Sequence, residues 1–159
     1  MTTYSHSKIG TFQQCKYKYK LQYIDKIKSD LESIEIFMGK RAHETLEKLY
    51  NDLKFQKLNT KEELLQFFEK IWDENWHDKV FIVKEEYTAK NYKEMGKKFI
   101  ADYYEHYKPF NHRTVIAIET QDRMDLSEGY QYHIRIDHLA CDKEGNYYVC
   151  DYKTNNSLK

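Results

Sequence analysis

The chain contains no CxxC pair, and its three cysteines, Cys15, Cys141 and Cys150, stand far apart among 159 residues. That spacing argues against a disulfide framework or a closed zinc site built from this chain alone. No apolar run approaches the length of a membrane-spanning helix, and the opening MTTYSHSKIG has no apolar signal core. A reducing, cytoplasmic setting with no membrane partner is therefore expected. Charge of one sign is not in excess, because 26 Lys and Arg balance 26 Asp and Glu. The molecule thus has no overall field to draw nucleic acid, and any such surface must be local. Proline occurs once and glycine five times. With charged residues at 33%, this is the composition of a folded chain rather than a disordered one.

Aromatic residues are plentiful, at 16%, and 15 of them are tyrosines. The length suffices for one domain with a real core. No repeat or linker interrupts it, so a single domain over 1–159 is expected. Helices would occupy 1–110 and a sheet 111–159. Ser7 can cap a helix into KIGTFQQCKYKYKLQYI. Between Phe37 and Leu53, the residues Ala42, Leu46, Leu49 and Leu53 form one helical stripe. Thr60, with Glu63 three residues on, makes a capping box for KEELLQFFEKIWDENW. A fourth helix over about 88–107 places Tyr92, Met95, Phe99 and Tyr103 on one face, and Pro109 ends it.

After Pro109 the apolar period changes from helical to two. TVIAIETQDRMDL, YQYHIRIDHLAC and NYYVCDYK read as three strands joined by SEG and DKEG. An α/β or α+β fold follows, with helices covering an antiparallel meander in a mixed sheet. Each loop fits a type I turn closed by a left-handed glycine, Gly129 and Gly145. Leu126 then faces Tyr130, and Asp142 faces Asn146. Stepping back along the strands sets Glu119 opposite Asp137, and Asp137 opposite Asp151. Lys153, two residues beyond Asp151, shares its face. The other face, with Ile134, Ile136, Ala140, Tyr148, Cys150 and Tyr152, reads as core.

A single acid on a sheet face is most often just solvated. Three in register repel one another, and a hard divalent cation would reverse that repulsion. A lysine beside such a site can stabilise an attacking hydroxide or a phosphate oxygen, which is the chemistry of metal-assisted phosphodiester hydrolysis. MGKRAHETLEKLY adds His43 and Glu47, one helical turn apart. His43 flanks the apolar stripe and becomes a ligand only if its helix packs over the acids. The stretch Lys8 to Lys28 holds six lysines against one acid, Asp25, interleaved with Phe12, Tyr17, Tyr19 and Tyr23. Lys8, Lys16 and Lys18 can contact phosphates while Tyr19 stacks on an unpaired base. The alternative is an amphipathic helix whose aromatics lie in the core.

Taken together, these residues resemble the PD-(D/E)XK nuclease superfamily in its RecB-like branch. That branch includes exonuclease domains of recombination enzymes and the nuclease subunit of CRISPR adaptation. YSHSKIGTFQQCKYKYKLQYI resembles its N-terminal segment, GKRAHETLEKLY its Gly-x-x-x-His helix, and IRIDHL with VCDYKT its Asp and (D/E)-x-K motif. The resemblance implies a restriction-endonuclease-like fold and Mg²⁺ or Mn²⁺ held by His43, Asp137, Asp151 and the Tyr152 carbonyl. It implies Lys153 as the catalytic lysine, with Glu119 matched less firmly. The implied activity is DNA cleavage, by an exonuclease of repair, recombination, phage or CRISPR-related processing.

The chain departs from the pattern at Ile134, where the family commonly has glycine, and at Asn155 and Asn156. Relatives usually continue past the point matching Lys159, some with three further cysteines that share an iron–sulfur cluster with one matching Cys15. No cluster is expected here. A fragment of a longer domain is expected, or a minimal member completed by a protein partner or a second copy. Two further classes remain open: a nuclease-fold module that binds nucleic acid or protein without cutting, and a purely structural domain.

Overall fold

The computed structural model describes residues 2–153. Thr154 and the two asparagines after it lie outside the described residues. By internal contacts the chain divides into two compact units, one from Met1–Asp30 with Glu119–Ile136, the other from Leu31–Ile118 with Asp137–Lys159.

In the first unit, strand β1 (Thr2–Ser5) runs into helix α1 (His6–Gln14). Ser5, not Ser7, caps α1, its hydroxyl accepting from the Lys8 N–H at 3.2 Å. The long helix expected after Ser7 breaks at Cys15, whose φ of −159° and ψ of 110° are extended. It resumes as α2 (Lys16–Tyr19) and a π-helical turn, Lys20–Ile24. Neither helix buries a residue, so the core placement of these aromatics is not what folding produces.

Strands β4 (Thr114–Asp125) and β5 (Tyr130–Cys141) each begin in one unit and end in the other. In the first unit the strand order is β1-β5-β4. Here β1 pairs parallel to β5, from Thr2 opposite Tyr130 to Ser5 opposite His133. Nothing in TTYS announced that strand. In the Ser127–Gly129 loop Glu128 (φ 60°) as well as Gly129 (φ 78°) is left-handed, so the loop is not the expected type I turn. It still sets Leu126 against Tyr130, the Leu126 N–H donating to the Tyr130 carbonyl at 2.8 Å.

The second unit holds the main core. Two short strands, β2 (Glu32–Ser33) and β3 (Val80–Phe81), pair parallel beside helix α3 (Ile34–Lys54). The sequence reading had not placed this pair. On α3, Ile34, Phe37, Ala42, Leu46 and Leu49 are fully buried. Burying each such large apolar side chain stabilises by about 1.5–3 kcal/mol. Helix α4 (Lys61–Asn75) begins at the expected capping box: the Thr60 hydroxyl accepts from the Glu63 N–H at 3.2 Å, and the Glu63 carboxylate from the Thr60 N–H at 2.8 Å. Helix α5 (Ala89–Tyr107) starts on the same device, Thr88 with Asn91. Its Gly96 lies so close to Phe68 of α4 that a Cβ there would overlap the ring.

Strand β6 (Tyr147–Cys150) pairs antiparallel with the end of β5, from Cys141 opposite Tyr147 to His138 opposite Cys150. This is the register the Gly145 loop implies, with Asp142 N–H donating to the Asn146 carbonyl at 3.0 Å and Gly145 at φ 87°. The strand ends at Cys150, earlier than expected, so Asp151 to Lys153 follow it as irregular chain. Parallel pairing at β1 and antiparallel pairing at β6 make the sheet mixed, and with the helices the fold is α/β.

Candidate active site

Asp137 is the first residue of β5 within the second unit, and it is buried. A buried carboxylate needs partners, because desolvation otherwise penalises its charge. The Tyr152 N–H donates to Asp137 Oδ2 at 2.8 Å. That bond explains why β6 stops early: the N–H that would extend the ladder goes to the carboxylate instead.

The same peptide segment meets α3. His43 Nε2 lies 3.0 Å from the Tyr152 carbonyl oxygen. A carbonyl only accepts, so Nε2 is the donor. The other ring nitrogen, Nδ1, lies 3.7 Å from Asp137 Oδ2. An imidazole nitrogen and a carboxylate oxygen are both ligand types for divalent metal ions. His43 and Asp137 thus offer ligand atoms close enough to share an ion.

Asp151 and Lys153 are exposed, and their side chains form an ion pair at 2.5 Å. Both border a cavity of about 530 Å³. The Tyr152 side chain, between them in sequence, is buried and lines the same cavity; it packs edge-on to His43 and to Tyr103, with ring centroids 5.6 and 5.7 Å away.

Glu119 belongs to the first unit. It takes a left-handed φ of 47° within β4, and its carboxylate accepts from Arg135 Nε and Nη2 at 3.0 and 2.5 Å. Also in that unit, Phe12 packs edge-on to Tyr19, and Tyr19 against Tyr23, each pair with centroids 5.2 Å apart. Lys16 lies over the Phe12 ring, and Lys8 over Tyr4 and Tyr23. Lys16 and Lys18 are exposed, while Lys8 and Tyr19 are half-buried. Cys15 is an exposed free thiol.

Sequence reasoning passed over His138. It follows Ile134 and Ile136 in the alternating row that leads to Ala140, and that position was the available signal. His138 is buried, lies 4.1 Å from the Tyr50 ring between centroids, and is held down to about 4 by burial and by the charges of Arg113 and Lys54. It is neutral at physiological pH. Tyr50 and Tyr103 join hydroxyl to hydroxyl at 2.6 Å. Burial pushes the Tyr50 phenol up to about 12, and those of Tyr103 and Tyr152 higher still.

The sequence pattern of the PD-(D/E)XK nuclease superfamily matches residues 3–159, and the chain belongs to that superfamily. Metal-dependent hydrolysis of phosphodiester bonds in nucleic acid is the activity this membership implies. A search of the curated proteins finds no match. Among the described residues, no helix is long and apolar enough to cross a membrane.

Proposed function

We propose that this chain is a Mg²⁺- or Mn²⁺-dependent deoxyribonuclease of the RecB-like branch, working from DNA ends. The observation that carries the reading is the Tyr152 peptide, whose N–H holds Asp137 and whose carbonyl meets His43 from a helix far away in sequence. Such an arrangement fixes a carboxylate, an imidazole and a carbonyl around one point. In this reading His43, Asp137, Asp151 and the Tyr152 carbonyl hold the cation. When bound, the cation would polarise the phosphate and acidify a water molecule.

The remaining roles fall to side chains. The Tyr152 N–H holds the Asp137 carboxylate in place by donating to one of its oxygens. The Lys153 ammonium, once released from Asp151, stabilises the negative charge that builds on the phosphate. Lys8, Lys16 and Lys18 would hold the phosphates of the incoming strand, with Tyr19 stacking on a base.

The experiment is degradation of end-labelled single- and double-stranded DNA, and of closed circles, with Mg²⁺ or Mn²⁺. Linear strands should shorten and circles should survive. Cutting of circles would replace the exonuclease with an endonuclease. Inertness with both metals, alongside retained DNA binding, would leave a nuclease-fold binding module instead.

A further inference from the structure

The cavity bordered by Asp151 and Lys153 is larger than the proposed chemistry needs. At about 530 Å³ it falls within the range of about 300–1,000 Å³ typical of small-ligand pockets. Its lining belongs wholly to the second unit. Tyr50, Phe99, Tyr103, Tyr107 and Phe110 supply flat apolar walls. Arg113, His112 and Lys153 supply cations or donors. Arg113 is itself anchored over the Tyr148 ring, 3.6 Å from its centroid, which fixes where its charge lies.

His138 also lines this space, and its Nε2 is buried with no hydrogen-bond partner among the described residues. Buried polar atoms nearly always find partners. A hydrocarbon occupant would leave this one unpaired, whereas a heteroaromatic ring brings edge nitrogens and oxygens within reach of a small rotation of the imidazole. Arg113 and Lys153 stand against one acid in the lining, Asp151, a balance that suits an occupant attached to negative charge. Since Lys153 belongs to both the cavity and the Asp-x-Lys motif, an occupant that reaches both must combine a flat ring with a phosphate nearby.

We propose that this cavity seats the base of one unpaired nucleotide of the substrate strand, next to the phosphate that is cut. The proposal rests on the nuclease reading above. Aromatic walls accept any base by its face, so the seat would count position along the strand rather than read sequence. A base must leave its stack to enter, which single-stranded or frayed ends allow at least cost.

The test uses the full chain and single-stranded oligonucleotides carrying 2-aminopurine at successive positions, without divalent metal for binding and with Mn²⁺ for cleavage. Fluorescence should be quenched at one position only. Tyr107→Leu should abolish that quenching and Tyr107→Phe restore it. Tyr107 is exposed to 44%, so these variants should fold, and their melting temperatures will show it. An abasic residue at the quenched position should lower kcat/KM by about tenfold or more. If natural and abasic strands are cut equally and no position is quenched, the seat is wrong while the nuclease reading stands. If nothing is cut but one position is quenched in a Tyr107-dependent way, the seat stands and cleavage does not. Absence of both overturns both.

Discussion

Asp137 and Tyr152 are joined carboxylate to backbone, the Tyr152 N–H donating to Oδ2 at 2.8 Å across fifteen residues of sequence. This bond separates two properties of Asp137 that substitution can take apart. Asn keeps an oxygen acceptor for the N–H but loses the charge, and Ala loses both. Asp137→Asn should therefore retain a near-native melting temperature and lose Mn²⁺ binding by calorimetry. Asp137→Ala should lose metal binding and also destabilise by about 1–3 kcal/mol, the usual cost of stranding a buried donor. Equal stability in the two variants would show that the bond contributes nothing.

Lys153 and Asp151 form an exposed ion pair, and exposed pairs contribute little to stability. Their substitution should thus affect chemistry far more than folding. Lys153→Ala should slow cleavage by about 10²–10³ while leaving metal binding nearly intact. Asp151→Ala should remove both. Single-turnover rates with and without Mn²⁺ saturation separate the two outcomes. Equal rates for wild type and Lys153→Ala would remove the lysine from the mechanism.

Gly96 offers a case in which two effects oppose each other. Alanine is the better helix former by about 1 kcal/mol. At this position, however, the added Cβ overlaps Phe68, which is fully buried and cannot swing away. Overpacking of a core costs about 1–3 kcal/mol. Gly96→Ala should therefore lower the denaturation midpoint in urea. A raised midpoint would mean that α4 and α5 move apart freely.

Acid should act through Asp52. The Lys48 ammonium and the Asn59 amide, bonding to it at 2.6 and 2.8 Å, hold its carboxyl down to about 2. A depressed carboxyl stabilises fully above its unfolded value, near 4, and loses that contribution as pH falls towards 2. Thermal melts from pH 7 to 2 should show a steeper decline over that interval for wild type than for Asp52→Asn. The contribution is partly screened, since the side chain is 25% exposed.

Local signals in the sequence were the most readable. The Thr60–Glu63 box, the glycine of the Asp142–Asn146 turn and the stripe on α3 each depend on residues within a few positions of one another. All three appear as the sequence implies. From the second turn, simple counting set Asp137 opposite Asp151; the ladder keeps that register as far as His138 opposite Cys150 and stops one pair short of it. What stayed hidden depends on distant partners. The parallel pairing of Thr2–Ser5 leaves no alternation in those four residues. The early end of β6 depends on a carboxylate outside the strand taking a backbone N–H. Burial of His138 depends on Tyr50, a residue of α3, whose ring no spacing rule could have brought there.

Tyr152 has one consequence for how the protein can change. Its hydrogen bonds with His43 and Asp137 use main-chain atoms, which every amino acid except proline possesses in full. Its ring packs edge-on to His43 as well as to Tyr103. Substitution at the middle letter of the Asp-x-Lys triplet therefore keeps both backbone hydrogen bonds and changes the packing around the His43 ring. A change at this single codon thus alters the room behind the motif and the seating of His43 together, with the two main-chain bonds left in place.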